Sequence, residues 1–211
     1  MPVPVKSVEV LGDRARAVII KDAGDDPDVT NGAEFVAEVK VSGFNAARPS
    51  VRIRGGEGVG VVTKPGLKVQ PGRPAINPVP LKMIRAALLE AAKAAGSRAA
   101  FVVTISVPRG RELAKRTMNA RLGITGGISI LGTSGIVEPM SLAAYTQSIS
   151  LGIDVALASG LDEVVFSTGR SSEKVVEKEL GLPEEAFVLT GDHMGYALRD
   201  AAKRAGLKEI I

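Results

Sequence analysis

The chain has 211 residues, 45% of them hydrophobic, with no cysteine, no tryptophan and a formal net charge of +4. This is enough chain for one large domain or two small ones with real cores. The missing cysteines exclude a disulfide framework and thiolate metal sites, and no run of about 18 apolar residues is present to span a membrane.

The basic residues are scattered and aromatics make up only 3% of the chain, so neither a nucleic-acid-binding stripe nor a base-stacking platform is expected. A mild cationic excess suits a carboxylate-rich small molecule equally well. The opening MPVPVKSVEV is broken by proline and charge and has no secretory pattern, and a cytoplasmic location is expected.

Along the chain, residues 14–21, 34–41 and 51–54 carry β-branched or alternating residues and read as strands. From Leu81 the period changes. Leu81, Ile84, Leu88, Ala91, Ala92 and Ala95 recur at helical spacing, with Pro80 at the entrance and Gly96 after the end. Residues 100–107 then form a near-continuous apolar run stopped by Pro108, the pattern of a buried strand.

Residues 121–141, RLGITGGISILGTSGIVEPMS, combine glycines, hydroxyls and isoleucines in one run. Glycine permits positive φ and close backbone approach, so this run reads as a buried strand and tight turns whose amides and hydroxyls face an anionic ligand. The plain alternative is a loop shaped by packing alone. Beyond it the rhythm is helix, strand, helix, strand. Ser141 caps a helix that ends at Gly160, residues 163–168 form a strand, 172–180 a helix, 186–190 a strand, 196–205 a helix and 209–211 a last strand. Such alternation argues for a parallel sheet with covering helices. The expected architecture is an α+β part over residues 1–120, followed by an α/β part with a parallel sheet in Rossmann-like layering over residues 121–211. The second part is expected to continue beyond Ile211.

Ligands of parallel sheets collect at the carboxyl ends of strands. The turns at Thr168, Gly169, Arg170 and Ser171 and at Gly191, Asp192, His193, Met194 and Gly195 are expected to converge there, each leading into a helix whose first amides favour anions. Asp22, Asp25, Asp26 and Asp28 crowd one short run. They can hold a cation, activate a group or form turns, but calcium-loop spacing is absent. Arg54-Gly55-Gly56-Glu57-Gly58-Val59-Gly60 satisfies neither common nucleotide-loop pattern. Arg54 and Lys64 are plausible partners for carboxylates, Asn77 either orients a ligand or caps a turn, and the lone His193 reads as a surface or structural histidine.

Four runs together carry a resemblance: KDAGDDPDVTNGAEF (21–35), RGGEGVGVVTKPGL (54–67), PAINPVP (74–80) and the 121–141 run. In this order they resemble the cobalt-precorrin-5B (C-1)-methyltransferase family of anaerobic cobalamin synthesis. The similarity runs from about residue 18 to the end, and the family is expected to have a Thr/Gly/Ala-rich segment before Met1 and a further portion after Ile211. Arg170 stands where an asparagine is expected in the family.

The resemblance implies methyl transfer from S-adenosylmethionine to ring carbon 1 of a cobalt-containing, carboxylate-rich tetrapyrrole, with no metal held by the protein. The residues expected to hold the tetrapyrrole are Arg54, Lys64, Arg121, Gly126, Gly127, Ser129, Thr133 and Ser134. Asp25, Asp26 and Glu138 are the candidates for catalysis, through the donor or through proton management. Gly169, Arg170, Gly191 and Asp192 are those for donor binding. A non-catalytic carrier of a tetrapyrrole or another polyanionic metabolite is the alternative.

Overall fold

The computed structural model describes residues 3–43, 48–131 and 141–211. The chain has a mixed α/β fold with a mixed sheet. Strands β1 (Val5–Leu11), β2 (Arg14–Ile20), β3 (Glu34–Gly43), β4 (Ser50–Gly55) and β6 (Ala100–Ser106) form one five-stranded sheet in the order β1-β2-β3-β6-β4. Its neighbours are antiparallel except β4 and β6, which run parallel.

That parallel pair needs a crossover, and helix α1 (Pro78–Ala94) supplies it. The helix begins three residues before Leu81, since Pro78 can occupy its first turn, where no amide bond is lost. Its Leu81, Ile84 and Leu88 pack on Val51, Ile53, Val103 and Ile105 of the sheet. The helix side chains are partly buried there, so each contributes less than the roughly 1.5–3 kcal/mol of a fully buried aliphatic side chain. The helix leaves the far edge of the sheet bare. On β1, which the period-two reading missed, Val8 is 65% and Val10 76% exposed.

Between the sheets lie the short strands β5 (Val61–Val62) and β7 (Ile124–Thr125), paired antiparallel, and the one-turn helix α2 (Gly110–Ala114). Val62, Ala75 and Ile124 form a small core of their own here. Isolated bridges join Val59 to Ile128 and Ile76 to Ile130, so the described start of the glycine-rich run is hydrogen-bonded to the 59–76 region.

The second sheet has three parallel strands in the order β10-β8-β9, with β8 at Glu163–Ser167, β9 at Phe187–Leu189 and β10 at Glu209–Ile210. Alternate residues of a strand face opposite sides. Val164, Phe166 and Val188 pack with Ile149, Ile153, Ala197 and Ala201 from α3 (Leu142–Ala158) and α5 (Met194–Ala201). Val165 and Phe187 pack with Val176 from α4 (Arg170–Leu180) on the other side. The chain therefore leaves β8 and β9 towards opposite faces of the sheet. Ser141 caps α3 as expected, its Oγ accepting from the Ala144 amide at 3.3 Å, and Gly181 ends α4 at φ 62°.

Candidate functional site

The two glycine-rich runs meet. Gly58 O accepts from the Ile128 amide at 2.9 Å, and the Gly60 amide donates to Ile128 O at 2.8 Å. A Cβ on Gly127 would stand 2.1 Å from Gly58 O, and one on Gly110 would stand 2.0 Å from the same oxygen. No side chain fits such spacing, so three backbone segments cross here on glycine alone. The close approach expected at Gly127 is thus an approach to Gly58, not to a ligand. Asn119, buried and absent from the sequence-based candidates, secures the crossing. Its Nδ2 donates to Gly127 O at 3.1 Å and its Oδ1 accepts from Ser129 Oγ at 3.1 Å.

Beside the crossing lies an open cleft of about 400 Å³, lined by residues 55–59, Val61, Gly72, Pro74, Arg111, Thr125 and Gly126. Its size falls within the range of small-molecule sites. Gly126 matches the expectation of an open approach: it has φ 80° and nothing within 4 Å of where a Cβ would point. Of the lining residues, Glu57, Gly58 and Gly126 have amides that donate no hydrogen bond among the described residues. Clustered unpaired amides favour an anion. Glu57 and Arg111 are the two charged residues of the lining. Arg111 was not among the sequence-based candidates, and no local pattern marks it, because its place depends on α2 packing against Gly58.

Other expected residues have different surroundings. Arg54 is exposed on edge strand β4. Lys64 pairs with Glu185 at 2.5 Å, and this hydrogen bond holds the Glu185 carboxyl below its usual range. Arg121, expected to hold the tetrapyrrole, is instead buried against α4. Its Nη1 donates to Glu173 Oε2 at 2.6 Å, its Nη2 pairs with Oε1 of the same carboxylate, and its Nε lies 3.4 Å from Glu184 Oε1. Glu173 is fully buried. Burial by itself raises its carboxyl, but the hydrogen bonds from Arg121 and Arg170 outweigh that and leave it below the ordinary value. Lys64 and Arg121 thereby tie the 61–131 region to the second sheet. A void of about 30 Å³ between Arg121, α3 and β9 has room for about one water and does not compete with the cleft.

The acidic run is a hydrogen-bonded turn between β2 and β3. Asp28 accepts from the Thr30 amide and hydroxyl at 2.7 Å each and pairs with Lys21, while Asp22 accepts from the Gly24 amide at 2.8 Å. Asp25 is exposed and Asp26 half-buried, and neither lines the cleft. Among the described residues no group of three or more His, Cys, Asp or Glu side chains is arranged to hold a metal ion. Thr133, Ser134 and Glu138 lie outside the described residues.

The turns after β8 and β9 converge at one sheet edge. The Thr190 amide and hydroxyl donate to Ser167 O at 2.8 and 3.1 Å, so Gly169 and Gly191 start from neighbouring strand ends. Gly169 precedes α4 without a side-chain cap, Arg170 Nη1 reaches back to Glu173 Oε1 at 2.9 Å, and Asp192 is exposed. Gly191 takes φ 52° with the Tyr145 hydroxyl 2.5 Å from where a Cβ would stand, and the Tyr145 and His193 rings lie 4.9 Å apart. Ser167 is buried at this edge, and its Oγ has no hydrogen-bond partner among the described residues.

The structure thus combines a mixed α/β fold with an open cleft beside a crossing of glycine-rich segments. The chain belongs to the CbiD family, whose model matches residues 1–139. It is 52% identical, over 92% of its length, to the cobalt-precorrin-5B C(1)-methyltransferase of Geobacter sulfurreducens, and 48% identical, over 98%, to that of a Geobacillus species. The alignment covers 55% of each of these two relatives. The chain spans about half the length of the curated relatives it matches. Among solved structures, a cobalamin biosynthesis protein from Archaeoglobus fulgidus is 31% identical with a TM-score of 0.46, the match covering 96% of this chain and 61% of that one. No helix among the described residues is long and apolar enough to cross a membrane.

Proposed function

We propose that this chain acts in C-methylation of cobalt-precorrin-5B, transferring the methyl group of S-adenosylmethionine to ring carbon 1 of the tetrapyrrole. In that step the ring carbon attacks the sulfonium methyl, a carbon–carbon bond forms, and the sulfur–carbon bond breaks with its electron pair left on the departing thioether. No covalent enzyme intermediate is required; the two reactants need alignment at close range.

The observation that carries the reading is that two of the runs matching this family close a single cleft. The amides of Glu57, Gly58 and Gly126 and the Arg111 side chain suit the carboxylate arms of a tetrapyrrole, with Arg54 on the strand leading into the cleft as a further cation. The donor is assigned to the crevice between the turns at Gly169 and Gly191. Support comes from the opposite departure of the chain from β8 and β9, the condition under which a parallel sheet opens a crevice at its carboxyl edge, and from the uncapped start of α4. The same arrangement favours a Rossmann-like layering for a second unit of the chain. In this division residues 121–131 go with the first unit, to which they are hydrogen-bonded. The proposed setting is the cytoplasm.

The test is direct. Purified protein is incubated with S-adenosylmethionine and cobalt-precorrin-5B, and S-adenosylhomocysteine is followed by mass spectrometry. Product above the donor-only background is expected. Tetrapyrrole binding with neither product nor donor affinity would instead favour a carrier.

A further inference from the structure

Glu57 and Arg111 occupy matched positions on either side of one rigid contact. Glu57 immediately precedes Gly58 and Arg111 immediately follows Gly110, and Gly58 and Gly110 are the residues whose backbones touch. The Val107 amide donates to Glu57 O at 2.8 Å and the Gly110 amide to Val107 O at 2.6 Å, which fixes both segments to the end of β6. An acid and a base are thus held on the wall of one cleft by backbone geometry. Both are exposed, and neither has an ion-pair partner among the described residues. Two opposite charges in the lining of one cleft that do not pair present separate poles to whatever enters.

We propose that Arg111 takes a carboxylate of the substrate, and that Glu57 sets selectivity by repelling ligands that bring a further carboxylate to its side of the cleft. This rests on the reading of the cleft as a tetrapyrrole site. Arginine suits the first role because its planar fork donates two parallel hydrogen bonds to a carboxylate. Gly126 lines the same cleft from the other glycine-rich run, and its amide adds a neutral donor to the same group. Glu57 acts through the unfavourable term: a like charge facing it lowers the affinity of the wrong ligand and leaves the right one untouched. A cleft with Arg111 alone would take any polycarboxylate. With both residues it distinguishes one pattern of carboxylates from another.

The experiment titrates octacarboxylic uroporphyrin and tetracarboxylic coproporphyrin into the protein and into R111A, R111K, E57Q and T125W, each first checked for an unchanged melting curve. T125W adds bulk to the lining of the cleft and leaves both charges in place. Losing a charge-assisted pair should weaken binding of both porphyrins to R111A by at least about tenfold, with R111K recovering part of it. E57Q should tighten uroporphyrin by about threefold or more relative to coproporphyrin. If R111A and E57Q bind like the unaltered protein while T125W does not bind, the cleft is the site and the roles given to these two residues are wrong. If T125W also binds normally, or the unaltered protein binds neither porphyrin, the tetrapyrrole reading of the cleft falls, and this inference with it.

Discussion

At the scale of single residues, neighbouring glycines in one motif do different work. Gly127 has no room for a side chain beside Gly58 O, whereas Gly126 has open space but a positive φ. Gly126→Ala should therefore cost only the left-handed penalty of about 1–2 kcal/mol and keep a native circular dichroism spectrum. Gly127→Ala has to push two backbones apart and should lose more, about 3 kcal/mol or above by urea denaturation. Equal losses would show that the crossing relaxes easily. A charge-based contrast concerns Glu173. Glu173→Gln leaves the buried Arg121 guanidinium without its carboxylate, a change that typically removes about 3–5 kcal/mol. Motif resemblance pointed to Arg121 and Gly127 as ligand contacts, since close approach and positive charge look the same in a sequence whether the partner is a ligand or the protein's own backbone and carboxylates.

At the scale of elements, α3 and the end of α5 are joined by a part-buried polar network. Ser150 Oγ donates to Asp200 Oδ2 at 2.7 Å, Arg204 Nη1 lies 2.7 Å from the same oxygen, and Arg204 Nε lies 2.9 Å from Asp154 Oδ1. Burial by itself raises the Asp200 carboxyl, but the hydrogen bonds from Ser150 and Arg204 leave it below its ordinary 3.8. Asp28 and Glu173 are lowered in the same way. A carboxylate depressed in the folded state stabilises the fold above its unfolded value, and that stability is lost as the pH falls through the folded one. Melting temperature should therefore hold from pH 7 to about 5 and fall steeply below the ordinary carboxylate values of 3.8 and 4.5. The fall should be shallower in a D200N variant, which has one less depressed carboxylate. At the bare edge, β1 makes no demand on its outward valines. Val10→Lys should change stability by no more than about 0.5 kcal/mol and reduce aggregation, because charged residues protect an edge strand.

At the scale of the whole molecule, Lys64–Glu185 and Arg121–Glu173 tie the cleft-bearing region to the parallel sheet. Removing both pairs with K64A and E173Q should raise amide hydrogen exchange in β9 and the first turn of α4, while leaving β3 and β6 protected. Uniform acceleration would mean that the chain unfolds as one unit. S-adenosylhomocysteine should raise the melting temperature of the unaltered protein by mass action, and less so in the loosened variant if the crevice at β8 and β9 depends on this junction.

The sequence by itself determined the main elements: α1, α3, α4 and the strands of the first sheet show in the spacing of apolar residues, because each has a face against a core, while β8 and β9, covered on both faces, show as short apolar runs. It also carried the family, through four runs whose composition no core requires. It did not reveal β1, whose side chains are mostly in solvent and so leave no burial pattern, or α2, which is too short for a period. Only the tertiary structure decided which cations face the cleft. Arg111 arrives there because Gly110 lies on Gly58, while Lys64 and Arg121 are drawn to Glu185 and Glu173, distant in sequence. Local spacing encodes which face of an element is buried; it does not encode which carboxylate, among those brought near by folding, a given guanidinium or ammonium group will meet.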